Sequence, residues 1–193
     1  MLLIGLMGKS GSGKTLISNL LKERDNSLQV IDIDKIGHNS HKDLYVKTQL
    51  LKSFGKDIFD ENGEVDRKKL SSIVFKDEQM MEKLCLATYE YMVRKIDKLI
   101  SQSEITILDY ALLPKTKYFN MCDVKVLVEA TYEERSNRVI LRDNISTEKY
   151  DEINSNSLDY SNLSFDYVIK NNKDINYLRK VVGEIYEKSI VSR

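Results

Sequence analysis

Residues 2–15 read LLIGLMGKSGSGKT, an apolar run that leads into a glycine-rich turn. Residues 2–6 lack the alternation of a half-exposed strand, so they predict a strand that is buried on both faces of a parallel sheet. From residue 15 to residue 22 the spacing becomes helical, with an apolar side formed by Leu16, Ile17, Leu20 and Leu21. The stretch therefore predicts a strand, a tight turn and a helix in succession.

The turn from Gly8 to Thr15 fits the pattern GxxxxGK[ST], which is typical of phosphate-binding loops. Its glycines allow successive backbone N–H groups to point at phosphate oxygens, and the helix that follows adds the positive end of its dipole. We expect Lys14 to reach the β- and γ-phosphates and the Thr15 hydroxyl to hold Mg²⁺. The pattern predicts a bound nucleotide with Mg²⁺, held by Gly11, Ser12, Gly13, Lys14 and Thr15, and leaves open whether the nucleotide is ATP or GTP.

Four more short strands are expected where β-branched residues cluster, at residues 29–31, 105–108, 124–128 and 167–169. Helical patterns separate these strands, which favours a parallel α/β sheet covered on both faces. One long helix is predicted to bury a side formed by Met81, Leu84, Cys85, Met92, Ile96 and Leu99. A terminal helix is predicted to bury Leu178, Val181, Val182 and Ile185.

Two polar, helix-rich excursions interrupt this alternation, and the first contains the turn sequence DENG at residues 60–63. We expect a single domain of the P-loop NTPase type, with a five-stranded parallel sheet flanked by helices. Its core is assigned to about residues 1–33, 103–134 and 165–193. About residues 34–102 are assigned to a helical insertion that would bind the acceptor, which is the molecule that receives the phosphoryl group. About residues 135–164 are assigned to a lid.

The 193 residues include 30 Lys and Arg and 30 Asp and Glu, so the formal net charge is zero. A neutral chain argues against a protein that coats nucleic acid or an anionic membrane, since both need a sustained positive field. No apolar run has the length of a membrane span, and no basic residues precede the apolar run at residues 2–7. We expect a cytoplasmic monomer or small homo-oligomer that acts on a small molecule, with Cys85 and Cys122 as two buried thiols.

Three aspartates follow predicted strands and become candidates for chemistry at the carboxyl ends of the sheet, where such sheets bind ligands. Alternation in an extended segment would put Asp32 and Asp34 on the same side. Asp34 is predicted to accept the proton of the acceptor hydroxyl, and Asp109 to help hold Mg²⁺. Asp32 is a candidate substrate contact, and helix capping is the alternative for the Asp32–Asp34 pair.

Arg135, Arg138 and Arg142 lie at helical spacing in the second excursion, so one helix face can present all three. Guanidinium groups clamp phosphate and neutralise charge in phosphoryl transfer, which favours this role for Arg138 and Arg142. The alternative is a solvated face that pairs with Glu133, Glu134 and Asp143. Arg135 receives no assignment.

The sequence resembles the dephospho-coenzyme A kinase family over nearly its whole length. The matching pieces, in order, are the phosphate loop, VIDID at 30–34, LKSFG at 51–55, GEVDRKKL at 63–70, IVF at 73–75, LDYALL at 108–113, Arg138 with Arg142-Asp143, and DYVIKN at 166–171. The resemblance implies ATP-dependent phosphorylation of the ribose 3′-hydroxyl of dephospho-CoA, the last step of coenzyme A synthesis. It places the catalytic aspartate at Asp34, the lid arginines at Arg138 and Arg142, and an adenine-side asparagine at Asn171.

The sequence departs from the family pattern in the acceptor and lid regions. Tyr89-Glu90 stands where the family has His-Pro, and the lid sequence Arg-Ile-x-x-Gln is replaced by EINSNS at 152–157. We expect the acceptor's pantetheine arm to lie near Arg67 and Tyr89. Two alternatives stay open: a kinase for another nucleoside or nucleotide, and a nucleotide-binding regulatory protein without turnover.

Overall fold

The computed structural model of the protein describes residues 1–74 and 77–192. Phe75, the last residue of the IVF segment, lies outside the described residues. The chain divides into two compact units, unit 1 with residues 1–32 and 103–193 and unit 2 with residues 33–102. Each unit is described by itself.

Unit 1 contains a parallel sheet of five strands in the order β2-β3-β1-β4-β5. The strands are β1 Leu2–Met7, β2 Gln29–Asp32, β3 Ile105–Asp109, β4 Val124–Glu129 and β5 Tyr167–Lys170. Its helices are α1 Lys14–Arg24, α6 Tyr118–Met121, α7 Tyr132–Asp143, α8 Thr147–Ser155 and α9 Ile175–Tyr186. (The numbers α2–α5 belong to unit 2.) A 3₁₀ turn at Leu113–Lys115 precedes α6, and a π-helical turn at Glu187–Val191 follows α9. The predicted α/β class and all five strands are confirmed.

Alternate residues of β1 point to opposite faces of the sheet, as the strand period requires. Leu2, Ile4 and Leu6 belong to the core cluster that includes apolar side chains of α1 and α9. On the other face, a Cβ atom on Gly5 would lie 2.8 Å from Leu113 Cδ2 and 2.9 Å from Cys122 Sγ. A glycine at this position therefore allows the segment after β3 to pack directly on the central strand.

Unit 2 is helical, with α2 Ile33–Asn39, α3 Leu44–Phe54, α4 Arg67–Val74 and α5 Glu78–Ile100. Short 3₁₀ turns lie at Ser40–Lys42 and Lys56–Ile58. Its core is formed by Val46, Leu50, Ile58, Val65, Leu70, Val74 and Ala87. The predicted DENG turn is present, because Gly63 has φ 74° and donates its N–H to the Asp60 carbonyl at 3.0 Å.

Two burial predictions are wrong. Cys85 is exposed, while Cys122 is buried, and burial raises the pKa of the Cys122 thiol to about 12. Helix α5 contacts α2, α3 and α4, and Ile96 is the fully buried member of its predicted apolar side. Leu16 of α1 is 37% exposed. Within residues 1–74 and 77–192 no helix combines the length and apolarity needed to cross a bilayer.

Candidate active site

The phosphate loop joins β1 to α1, and its backbone conformation depends on glycine at two positions in particular. Gly11 and Gly13 have φ values of 79° and 98°, in the region that residues with a side chain rarely adopt. A Cβ atom on Gly13 would lie 2.1 Å from Asn171 Nδ2, and one on Gly11 would lie 2.6 Å from the Arg135 carbonyl oxygen. Neighbouring groups thus pack against the loop backbone itself.

Asn171 and Arg138 hold this loop from the outside. Asn171 is 4% exposed and donates from Nδ2 to the Ser12 carbonyl at 2.7 Å. Arg138 donates from Nη1 to the Gly11 carbonyl at 3.2 Å and from Nη2 to the Asn171 carbonyl at 3.1 Å. The structure therefore brings together five residues that the sequence predicts at the nucleotide site: Gly11, Ser12, Gly13, Arg138 and Asn171.

Lys14 and Thr15 follow the loop in the first turn of α1. Lys14 donates from Nζ to the Gly8 carbonyl at 3.2 Å, so its ammonium group lies across the loop to which it belongs. Thr15 is exposed. The Ser12 hydroxyl is buried and, among the described residues, lacks a hydrogen-bond partner. Ser12 also lines a cavity of about 450 Å³ beside the loop, together with Lys9, Thr131, Arg135 and Tyr160.

Asp32 and Asp109 end neighbouring strands and face each other in the sheet register. Asp109 is buried, at 8% exposure. In the part of the chain that the structure describes, no cluster of three or more His, Cys, Asp or Glu side chains could hold a metal by itself. Mg²⁺ does not need such a cluster, because it usually takes one or two protein oxygens and completes its coordination shell with phosphates and water. A hydroxyl from Thr15 and a carboxylate from Asp109 are the hard oxygen ligands that this ion prefers.

Asp34 lies in unit 2, in the first turn of α2, where it is exposed. The prediction that alternation puts it on the same side as Asp32 is wrong. The extended backbone ends at Asp32 and the helix begins at Ile33, so no connecting residue separates strand from helix. A carboxylate in the first turn of a helix is stabilised in its charged form by the helix dipole.

The three arginines of α7 have three different environments. Arg142 is 62% exposed and its guanidinium forms a fork with the Asp143 carboxylate, with N–O distances of 2.7 and 2.8 Å. These hydrogen bonds raise the pKa of Arg142 and lower the pKa of Asp143. Arg138 contacts the loop, as described above, and lies 3.9 Å from Glu134. Arg135 is buried and does not share a solvent-facing side with the other two.

The remaining candidates, Arg67 and Tyr89, lie in unit 2. Arg67 opens α4, and its Nη2 contacts the His38 carbonyl and, at 3.3 Å, His41 Nδ1. These groups line a cavity of about 370 Å³ whose other walls are largely apolar: Leu50, Val65, Leu70, Val74, Met81 and Leu84. Tyr89 is 58% exposed on α5 and is not part of the wall of this cavity.

The sequence does not predict the hydrogen bonds of Arg135. Its partners Tyr150 and Asn154 lie 15 and 19 residues further along the chain. Helical spacing describes only the helix that carries Arg135, so no local signal could reveal these bonds. It also missed the two cavities, because their walls combine residues far apart in sequence.

Several known proteins are similar to this chain over nearly its whole length. The sequence profile described as "Dephospho-CoA kinase" matches residues 2–176. A dephospho-CoA kinase of Aquifex aeolicus is 33% identical over 191 residues, which cover 96% of this chain and 96% of the relative. A solved structure from Thermus thermophilus has a TM-score of 0.83 at 22% identity and covers 97% of each chain. The dephospho-CoA kinase of Campylobacter jejuni has a TM-score of 0.64 at 18% identity, over 99% of this chain and 98% of that one.

At these identities the two solved structures support the fold alone, and they confirm the predicted P-loop kinase fold. The profile and the Aquifex relative support more, because each spans both the phosphate loop and the helical unit. The resemblance found in the sequence is confirmed: the chain belongs to the dephospho-CoA kinase family.

Proposed function

We propose that this protein transfers the γ-phosphoryl group of ATP to the ribose 3′-hydroxyl of dephospho-CoA, with Mg²⁺ bound to the nucleotide. The observation that carries the proposal is the family match over residues 2–176, which spans the phosphate loop and all of unit 2. A cytoplasmic location and a monomer or small homo-oligomer stay part of this proposal.

In this reaction the phosphate loop and its supports bind the nucleotide. The loop amides and the Lys14 ammonium contact the phosphates, and the buried Ser12 hydroxyl and its cavity offer room beside the loop for other nucleotide atoms. Asn171 supports the site through the Ser12 carbonyl. Thr15 and Asp109 would hold Mg²⁺, which supplies charge neutralisation to the transferring phosphoryl group when bound.

The remaining assigned residues act on the acceptor and on the charge that develops. Asp34 accepts the proton of the attacking hydroxyl, and Arg138 and Arg142 neutralise charge on the phosphoryl oxygens. To reach substrate, the Arg142 guanidinium must leave its ion pair with Asp143. This ion pair is exposed to solvent and therefore weak.

We place part of the acceptor in the cavity of unit 2. Its largely apolar wall suits an uncharged arm, while Arg67 offers a guanidinium to a phosphate of the same molecule. Asp32 and Tyr89 stay candidate acceptor contacts. An Arg67→Met variant should raise the KM for dephospho-CoA and leave the KM for ATP near the wild-type value.

The deciding experiment measures phosphoryl transfer from ATP to dephospho-CoA, adenosine and a panel of nucleotides. Dephospho-CoA should give the highest kcat/KM, because remote contacts with its pantetheine arm can be used in the transition state. Asp34→Asn should lower kcat by roughly 10²–10⁴, the share of a positioned acid–base group. Asp57→Asn replaces another exposed carboxylate of unit 2 and is the matched control.

Transfer to a nucleoside or nucleotide with no transfer to millimolar dephospho-CoA would show that the acceptor has changed. ATP binding without transfer to any acceptor would favour a regulatory nucleotide-binding protein. Full activity in Asp34→Asn would limit Asp34 to a role at the start of α2.

A further inference from the structure

Arg135 is a buried cation to which the proposed reaction gives no role. Its side chain is 8% exposed. It donates from Nε to the Ala130 carbonyl at 3.2 Å, and from Nη1 to Tyr150 Oη and Asn154 Oδ1 at 2.8 Å each. All three acceptors are neutral oxygens, so these contacts fix the direction of the side chain without cancelling its charge.

The backbone of the same residue touches the phosphate loop. A Cβ atom on Gly11 would lie 2.6 Å from the Arg135 carbonyl oxygen and 2.9 Å from its Cα atom. Arg135 thus joins two parts of unit 1: its backbone packs on the loop, and its side chain holds α8. One turn later on the same helix, Arg138 donates to the Gly11 carbonyl.

Ring packing and hydrogen bonds attach helix α8 to the first turn of α7. Tyr150 is fully buried, and its ring centroid lies 5.5 Å from the ring centroid of Tyr132. The Tyr132 hydroxyl contacts the Asp151 carboxylate. Arg135 also attaches α8, through the hydrogen bonds from its Nη1 to Tyr150 and Asn154. These contacts return the chain to the start of α7 after the tight turn at residues 144–146.

That tight turn begins two residues after Arg142. Asn144 ends α7 in the left-handed conformation, with φ 51° and ψ 50°, and the Ser146 side chain caps α8 by accepting from the Lys149 N–H. Arg142 therefore lies in the last turn of α7, two residues before the left-handed residue at which the chain turns toward α8.

We propose that Arg135 is a positioning residue for Arg142. By fixing α8 on the first turn of α7, it holds the connecting turn and the backbone of the last turn of α7, from which the Arg142 side chain extends to the transferring phosphoryl group once it has left Asp143. This inference rests on the proposed function, because it assigns Arg135 an effect on turnover that passes through Arg142.

The test is a double-mutant cycle on kcat. Arg135→Met in the wild-type background should lower kcat about tenfold or more, since small misplacements of a catalytic group have effects of this size. The KM for ATP should change little, because Arg138 and Asn171 still hold the loop. In the Arg142→Lys background the same substitution should lower kcat less than about twofold, since the group through which Arg135 acts has already been altered.

Two further variants separate positioning from loss of stability. Asn154→Ala removes one acceptor of the Arg135 hydrogen bonds from the α8 side and should reproduce the fall in kcat at smaller size. Arg179→Met removes an exposed arginine that pairs with Glu23 at 2.6 Å, and should leave kcat unchanged. An equal loss from Arg135→Met in both backgrounds would overturn the proposal, because a general structural role predicts that result.

Amide hydrogen exchange gives a measurement that does not depend on the acceptor. Residues 144–155 should exchange faster in Arg135→Met than in the wild type or in Arg179→Met, and unchanged exchange would overturn the proposal. If the wild type ignores dephospho-CoA, the proposed function fails by itself, and the kcat cycle is then run with the acceptor that the panel identifies.

Discussion

At position 13 the backbone and its neighbour leave no room for a side chain. Gly13 combines φ 98° with a Cβ position 2.1 Å from Asn171 Nδ2. The contact joins the phosphate loop to the residue that follows β5, which is 158 residues further along the chain. Gly13 thus has two effects: it allows the conformation of the loop, and its missing side chain leaves room for Asn171 to bind the loop.

Gly13→Ala should therefore weaken ATP binding by tenfold or more, because Asn171 must move and its bond to the Ser12 carbonyl is lost. The measurement is the Kd for ATP by calorimetry. The matched control is Gly63→Ala, where φ is 74° but, apart from Gly63 and its two chain neighbours, no atom of the described residues lies within 4 Å of the added Cβ. That variant should cost about 1 kcal/mol of stability and leave the Kd for ATP unchanged. Equal Kd values for both variants would contradict this account.

Arg142 tests whether geometry or charge matters in the lid. Arg142→Lys keeps the positive charge, but a point charge cannot reproduce the planar fork, so kcat should fall about tenfold or more. Steady-state kinetics with saturating ATP check this. Arg179→Lys makes the same change at an exposed ion pair with Glu23 and should be silent. Wild-type kcat in Arg142→Lys would mean that the fork with Asp143 is its whole role.

At the scale of elements, α7 is the helix that carries Arg135, Arg138 and Arg142, so its start affects the position of all three. Thr131 accepts from the Glu134 N–H at 3.3 Å, and Glu134 Oε2 accepts from the Thr131 N–H at 3.0 Å, which is a complete capping box. The backbone hydrogen bond to Thr131 lowers the pKa of Glu134. The first turn of α7, which carries Arg135, is therefore fixed at its start.

Thr131→Val should remove this cap with little change in shape and lower the free energy of unfolding by about 1 kcal/mol. It should also raise the KM for ATP, because α7 packs on Gly11. Ser146→Ala removes the corresponding cap of α8 and should cost similar stability with a smaller effect on the KM for ATP. Chemical denaturation and kinetics on the two variants measure both effects. The same KM in both would show that the start of α7 does not matter for nucleotide binding.

The sequence is a good guide to elements wherever the signal is local. β1 lies where the apolar run predicts it, the other four strands lie where β-branched residues cluster, and the GxxxxGK[ST] pattern locates the loop to the residue. Prediction fails where burial depends on distant partners. Cys85 has the spacing of a buried position but is exposed, and Arg135 has the spacing of an exposed one but is buried against Tyr150 and Asn154. The alternation expected of Asp32 and Asp34 fails because α2 starts directly after β2, which fits the alternative that the pair stands at the start of a helix.

At the scale of the whole molecule, resistance to acid should depend on His41. Burial, and then the charge of Arg67, lower the pKa of His41 below its ordinary value. The guanidinium can only donate, so the Nδ1 that lies 3.3 Å from Arg67 accepts and the ring is neutral. The unfolded chain takes up a proton near the ordinary histidine pKa of about 6.5, whereas the folded chain resists it.

The free energy of unfolding should therefore fall as the pH drops through about 6.5 toward the lowered pKa of His41. His41→Asn should flatten this part of the dependence, and thermal unfolding at pH of about 5.5 and 7.5 measures it. His38→Asn changes an exposed histidine nearby and keeps the carbonyl that Arg67 contacts. A wild-type pH dependence in His41→Asn would show that other groups are responsible.

The strand order places β1 at the centre of the sheet, between β3 and β4, with Leu2 opposite Ile105 and Ile4 opposite Val124. During synthesis β1 leaves the ribosome long before either partner has been made. Six apolar residues then remain without a sheet to join until residues 105–109 and 124–129 emerge, which is a period of exposure to aggregation and to chaperones. Synthesis that pauses before residue 105 should thus leave a nascent chain that depends on chaperones for its solubility, although unit 2 is already complete.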